Sequence, residues 1–148
     1  VVPPHGAGTI ARQAGLITAN NRWCGIDWLT MESVKVKGVH VLGDATLSAP
    51  AMPKSASMAN QHAKVCAAAV IALIKGQPVN TRPMMINTCY SFMDDKNVAH
   101  VASVHSYDPA QKTMTVVKGA AGVSAKANEL EGTFAMGWAR NIWADALA

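Results

Sequence analysis

β-Branched, apolar and aromatic residues gather in three short runs, over 85–92, 97–107 and 113–118. The stretches between them, Asp94-Asp95-Lys96-Asn97 and Asp108-Pro109-Ala110-Gln111, are rich in turn formers. Strands that follow one another through short turns pair most simply as an antiparallel meander. On either side of the runs the pattern is helical. Over 55–75 Ala, Met, Val, Ile and Leu dominate, and Gly76 followed by Pro78 supplies a stop. Beyond Ala63 that helix is apolar on most faces, which predicts a second half packed on several sides. From Asn128 or Glu129 to Leu147, the residues Leu130, Phe134, Trp138, Ile142 and Leu147 fall close to one face of a second helix, and Trp143 on it is expected in the core.

The first part of the chain is less regular. Pro and Gly make residues 1–8 a loop, a short helix is expected over 9–16, and Asn20-Asn21 marks a turn. Residues 38–44, Gly-Val-His-Val-Leu-Gly-Asp, have the composition of a short buried strand that delivers Asp44 to its carboxyl end, where ligands collect in open α/β sheets. A loop with Pro50, Met52 and Pro53 follows. The expectation is an α+β chain: the tail of an α/β domain over 1–78, then an antiparallel three-stranded meander with a C-terminal helix over 79–148, the boundary lying at 76–83.

Composition narrows the function. A chain of 148 residues can bury roughly 70% of its unfolded surface in one core. Half its residues are hydrophobic and only 15% are charged, so some apolar surface is expected to meet another surface. The net charge of +4 is scattered from Arg12 to Arg140 without a stripe, which argues against nucleic acid as a partner. The best apolar run, 65–74, is far shorter than the roughly 20 residues of a membrane span. Cys24, Cys66 and Cys89 show no CxxC spacing, so neither a zinc site nor a closed disulfide framework is indicated. His62 and Cys66 share a helix face, but two ligands do not make a metal site. His100 and His105, five apart, should point to opposite faces of a strand.

Two constellations carry chemistry. The first is Gly43-Asp44 with the turn Ala51-Met52-Pro53-Lys54-Ser55 and the helix after it. Unpaired N–H groups at a helix N-terminus stabilise negative charge, and Lys54 would add to that. The second is Cys89 within Asn87-Thr88-Cys89-Tyr90-Ser91. From spacing alone a strand cysteine is more often an inert core residue. Cys24 and Cys66 read as packing residues.

Taken in order, the sequences at 38–45, 49–56, 63–70 and 87–91 resemble the flavoprotein subunit of flavocytochrome c sulfide dehydrogenase, in the pyridine nucleotide-disulfide oxidoreductase superfamily, over essentially the whole chain. The resemblance implies FAD as cofactor, with Asp44 on the ribityl chain, Gly43, Met52, Pro53, Lys54 and Ser55 around the flavin, and Trp138 near the flavin on the cytochrome-facing side. It implies that Cys89 forms a redox disulfide with a cysteine upstream of this sequence, that sulfide is the substrate, that a c-type cytochrome subunit takes the electrons, and that the compartment is the periplasm. The Gly-x-Gly-x-x-Gly phosphate loop of such enzymes is missing, since Gly6-Ala7-Gly8 lacks a preceding strand and a third glycine. The chain is therefore expected to be a C-terminal fragment that is inactive and short of FAD by itself. Apolar surface left on the 55–75 helix makes a homodimer an expected hazard. Two other readings compete: a fragment of a related sulfide:quinone oxidoreductase or type II NADH dehydrogenase, and a non-catalytic docking domain.

Overall fold

The computed structural model describes residues 5–147, so the first four residues of the loop expected at 1–8 lie outside the described residues. The elements are α1 (Thr9–Gln13), a single 3-10 turn (Gly43–Ala45), α2 (Ala56–Ile74), β1 (Met84–Phe92), β2 (Val98–Asp108), β3 (Thr113–Val123) and α3 (Glu129–Leu147). The fold is α+β: three antiparallel strands form one open sheet in the order β1-β2-β3, with α2 and α3 packed against it.

The meander follows the sequence pattern. Asp94 and Asp108 build the two turns by accepting main-chain N–H bonds two and three residues on, as short carboxylates do. β3 runs on through Gly119 and Gly122 to Val123, because an irregularity between Ser103 and His105 sets Val117 to Ala120 opposite Val104 alone and lets Ala121, Gly122 and Val123 pair again with β2.

Three expectations fail. Residues 38–44 form no strand: His40 makes one bridge to Glu32 and the Val41 N–H donates to Met31 O at 2.9 Å, after which the chain enters the 3-10 turn. A strand needs a neighbour along its whole length to take its N–H and C=O groups, and here each neighbour offers a single rung. The second half of α2 is not enclosed, since Ile71, Leu73 and Ile74 are exposed. On α3 the row of large apolar residues is not the packed one. Leu130, Phe134 and Leu147 face solvent and Trp143 is 59% exposed, while Gly132 and Ala135 are buried. Only a residue without a Cβ lets the helix axis approach the Lys96 carbonyl oxygen as closely as Gly132 does, so small residues set the packed face.

The main core joins both ends of the chain. Ile26, Trp28, Met31, Ala49, Met52, Met58 and Cys66 pack with Met85 of β1 and Met114 of β3. A smaller cluster holds Ala11, Leu16 and Cys24.

Candidate functional site

Alternation along β1 sends Met85, Asn87 and Cys89 to the same face, with Met85 in the core and Cys89 half-buried beyond it. Opposite them on β2 stand His105, Ser103 and Val101. This face borders an open cleft of about 690 Å³ lined by Pro53, Asn87, Cys89, Val101, Ser103 and Val123, among others. Its wall is aliphatic apart from a few polar groups. The Asn87 amide lies 3.7 Å from Cys89 Sγ through both Nδ2 and Oδ1. Because Oδ1 also accepts the Ser55 hydroxyl at 2.6 Å, Nδ2 is the donor left for sulfur.

Ser55 ties this strand to the helix. Its Oγ accepts the Met58 N–H at 3.0 Å, capping α2, and donates to Asn87, while Ser57 Oγ accepts the Thr88 N–H at 3.1 Å. The start of α2 is thus fastened to the edge of β1 beside the cysteine.

The Gly43-Asp44 turn lies on the same helix from the other side. Gly43 has φ +64°, and a Cβ there would stand 3.2 Å from that of Ala59, so glycine is required twice over. Its N–H donates to Nδ1 of the buried His62 at 3.0 Å. Lys54 Nζ donates to Asp44 O at 2.8 Å and Thr46 O at 2.6 Å and sits 3.8 Å above the Trp23 ring. Partial burial lowers the Lys54 ammonium from its ordinary range, against the pull of Asp44. Burial first, then Lys54, pushes His62 down to about 4, against the opposing pull of Asp44. At neutral pH His62 is therefore uncharged, with the Nδ1 lone pair free to accept. The Asp44 side chain is exposed.

The residues picked out from sequence divide accordingly. Gly43, Asp44, Lys54, Ser55 and Cys89 are linked through α2 and Asn87, and Pro53 lines the cleft with Cys89. Met52, expected at the cofactor, has its side chain in the core, because Ala51 at φ +57° turns the loop inward. Lys54 is held by two carbonyls and an aromatic face, so it shapes the turn. Trp138 is apart from the cleft: its ring lies 5.8 Å from that of Tyr90, which alternates to the face opposite Cys89. On that face Tyr90 also stacks near His100, and His100 is 2.6 Å from Glu131, pinning α3 to β2. His105 is fully buried on the cleft side, 3.0 Å from Ser103 Oγ. Cys24 and Cys66 are buried in the two clusters. Among the described residues no group of His, Cys, Asp and Glu could hold a metal ion, and no helix is long and apolar enough to cross a membrane.

Asn87 and His62 were not singled out from sequence as site residues. An asparagine two before a cysteine on one strand face was a readable signal; a histidine seven residues into a helix, aimed at a turn nineteen residues back, was not.

Cys89, Asn87 and the sheet that carries them lie within the segment that matches a known family, whereas the Gly43-Asp44 turn and α2 lie before it. Residues 81–147, which carry Cys89, the sheet and α3, match the family described as flavocytochrome c sulphide dehydrogenase, flavin-binding.

Proposed function

We propose that this chain is the part of a periplasmic sulfide dehydrogenase that carries one half of its redox disulfide, with residues 1–78 the end of the FAD-binding domain and 79–148 the family's C-terminal interface domain. The observation that supports this most is the join at Ser55: one hydroxyl caps α2 and holds Asn87, and Asn87 meets Cys89 at the mouth of the cleft.

The residues fit a flavin. Asp44 presents a carboxylate on a turn fixed by Gly43, α2 begins close by, and the cleft between Pro53 and Val123 offers an aliphatic wall to a ring system. Asp44 would hold the ribityl hydroxyls, while Pro53 and the main chain of 51–55 would face the ring. When bound, FAD supplies a two-electron sink that can release electrons singly to a c-type cytochrome.

The work of this chain's own residues is at sulfur. Hydrogen sulfide anion attacks the disulfide between Cys89 and a cysteine outside this sequence; a new S–S bond forms on one sulfur as a persulfide, and the other leaves as thiolate. The Asn87 Nδ2–H donates to Cys89 Sγ and so stabilises negative charge there. The aliphatic wall limits water around the nascent sulfur species. Ser55 keeps α2 in register with β1, and Lys54 holds the loop before α2 to the 44–46 turn.

Cys89→Ser in the full-length flavoprotein is expected to abolish sulfide-dependent reduction of cytochrome c while FAD content stays at the wild-type level. The chain by itself is expected to hold less than one FAD. Retained sulfide oxidation in Cys89→Ser would reject this reading. It would favour a docking domain, for which the exposed Phe92, Met93, Phe134 and Trp143 would be the contact surface.

A further inference from the structure

We infer that His62 is a positioning residue for the Gly43-Asp44 turn: by accepting the Gly43 N–H it sets the direction in which the Asp44 carboxylate is presented to the hydroxyls of the flavin side chain. The inference rests on the flavin reading above and adds to it a buried residue of α2.

The turn is tied down at every carbonyl. Gly43 O accepts the Thr46 hydroxyl at 2.9 Å, Asp44 O and Thr46 O accept Lys54 Nζ, and Ala45 O accepts the Cys24 N–H at 3.0 Å. The first N–H of a short helical turn has no partner within it, and Gly43 is buried, so that donor would be left without an acceptor if His62 did not reach it. The 3.0 Å bond spans nineteen residues and is buried along its length.

Packing does not explain the choice of histidine. His62 is 3% exposed, its ring stands edge-on to Trp28, and its Nε2 is buried without a partner. A leucine would fill the same space without stranding a polar atom. What an apolar residue cannot supply is the acceptor for Gly43. Once that bond and the Lys54 bonds are made, the Asp44 side chain is the polar group of the turn that remains free to face a ligand.

The experiment uses the full-length flavoprotein with His62→Asn, which keeps an acceptor near the position of Nδ1, and His62→Gln, which moves it toward Nε2. Hydrogen exchange at the Gly43 amide and the affinity of the flavin-free protein for added FAD are measured. The Asn variant should protect Gly43 and bind FAD like the wild type, whereas the Gln variant should lose that protection and bind FAD roughly tenfold more weakly, the effect of losing one bond. In an Asp44→Asn background the Gln substitution should add nothing, because both act through the same group. His62→Leu serves in place of Gln if the latter does not fold. Unchanged Gly43 exchange in Gln or Leu, or a loss of FAD affinity that persists undiminished with Asp44→Asn, overturns the inference. A wild-type protein that takes up no FAD overturns the flavin reading itself, and Gly43 exchange then reads alone whether His62 holds the turn.

Discussion

Residues 5–80 and residues 81–147 reach order by different means. The later region is held by repeating main-chain ladders: β2 pairs along its length with β1 and β3, and α3 closes over one face. The earlier region has almost no ladder outside α2, only isolated bridges at Ala19, Cys24, Ile26 and Glu32. Its shape comes from single side chains that reach main-chain groups far along the chain, such as Arg12 on Asn21, Thr18 on Gly25, Glu32 on Gly38, Lys54 on Thr46 and His62 on Gly43. A ladder shares the loss of one rung among many. A buried donor met by a single imidazole, as the Gly43 N–H is, has no such reserve, and it belongs to the turn that carries Asp44.

Acid should expose that contrast most strongly. Burial pushes the folded-state value of His62 down to about 4 from 6.5, so the unfolded chain binds a proton before the folded one does. The stability tied to neutral His62 is complete above pH 6.5, falls as the pH drops from 6.5 toward 4, and is level below that, a loss of about 3 kcal/mol across the window. His105, buried under the sheet, is also pushed down by burial, so acid weakens both regions. His62→Gln isolates the earlier region's share. Urea unfolding at pH 7 and pH 4 should show a fall in stability smaller by about 3 kcal/mol in the variant. An equal fall in both proteins would mean that the imidazole of His62 does not titrate in this way and that the earlier region is not the acid-sensitive one.

The same contrast separates what was legible in the sequence from what was not. The strands, both long helices and the turns at Asp94 and Asp108 follow from local pattern, since each is a regular element with its own punctuation. Residues 38–44 carry the composition of a strand yet lack a neighbour, and only tertiary structure supplies neighbours. The third run, over 113–118, stops short of β3, whose ladder resumes beyond a local irregularity and continues to Val123. On α3, apolar periodicity pointed to Leu130 and Phe134, but close approach to Lys96 selects Gly132 and Ala135, and smallness is not hydrophobicity. Within the candidate site, Cys89 and the Gly43-Asp44 pair were legible from motif. That Lys54 grips two carbonyls depends on a loop path that no periodicity encodes.

Gly132→Ala tests the later region. Alanine favours a helix over glycine by about 1 kcal/mol, which alone would stabilise α3. A Cβ at Gly132 would overlap the Lys96 carbonyl oxygen, a main-chain atom in the β1–β2 turn that cannot swing aside. Overpacking of this kind outweighs propensity, and a net loss of about 2 kcal/mol is expected by denaturant unfolding, with amides of α3 losing protection before those of β1. A gain in stability would show that α3 is only loosely seated on the sheet.

Ser55→Ala addresses the join between the regions and should have the smallest effect. Loss of the cap on Met58 N costs about 1 kcal/mol, as for other serine caps. The hydroxyl also donates to Asn87 Oδ1, so its removal frees an amide that otherwise faces Cys89 Sγ. If the two regions are mechanically joined here, hydrogen exchange should quicken both in the first turn of α2 and at Thr88 and Cys89 of β1, across a junction that Ser57 Oγ on Thr88 N–H supports only in part. Fraying confined to α2 would mean that β1 positions the cysteine by its ladder alone. The Gly43-Asp44 turn and the Cys89 strand would then be neighbours in space without being coupled, and Asn87 would hold its place by packing.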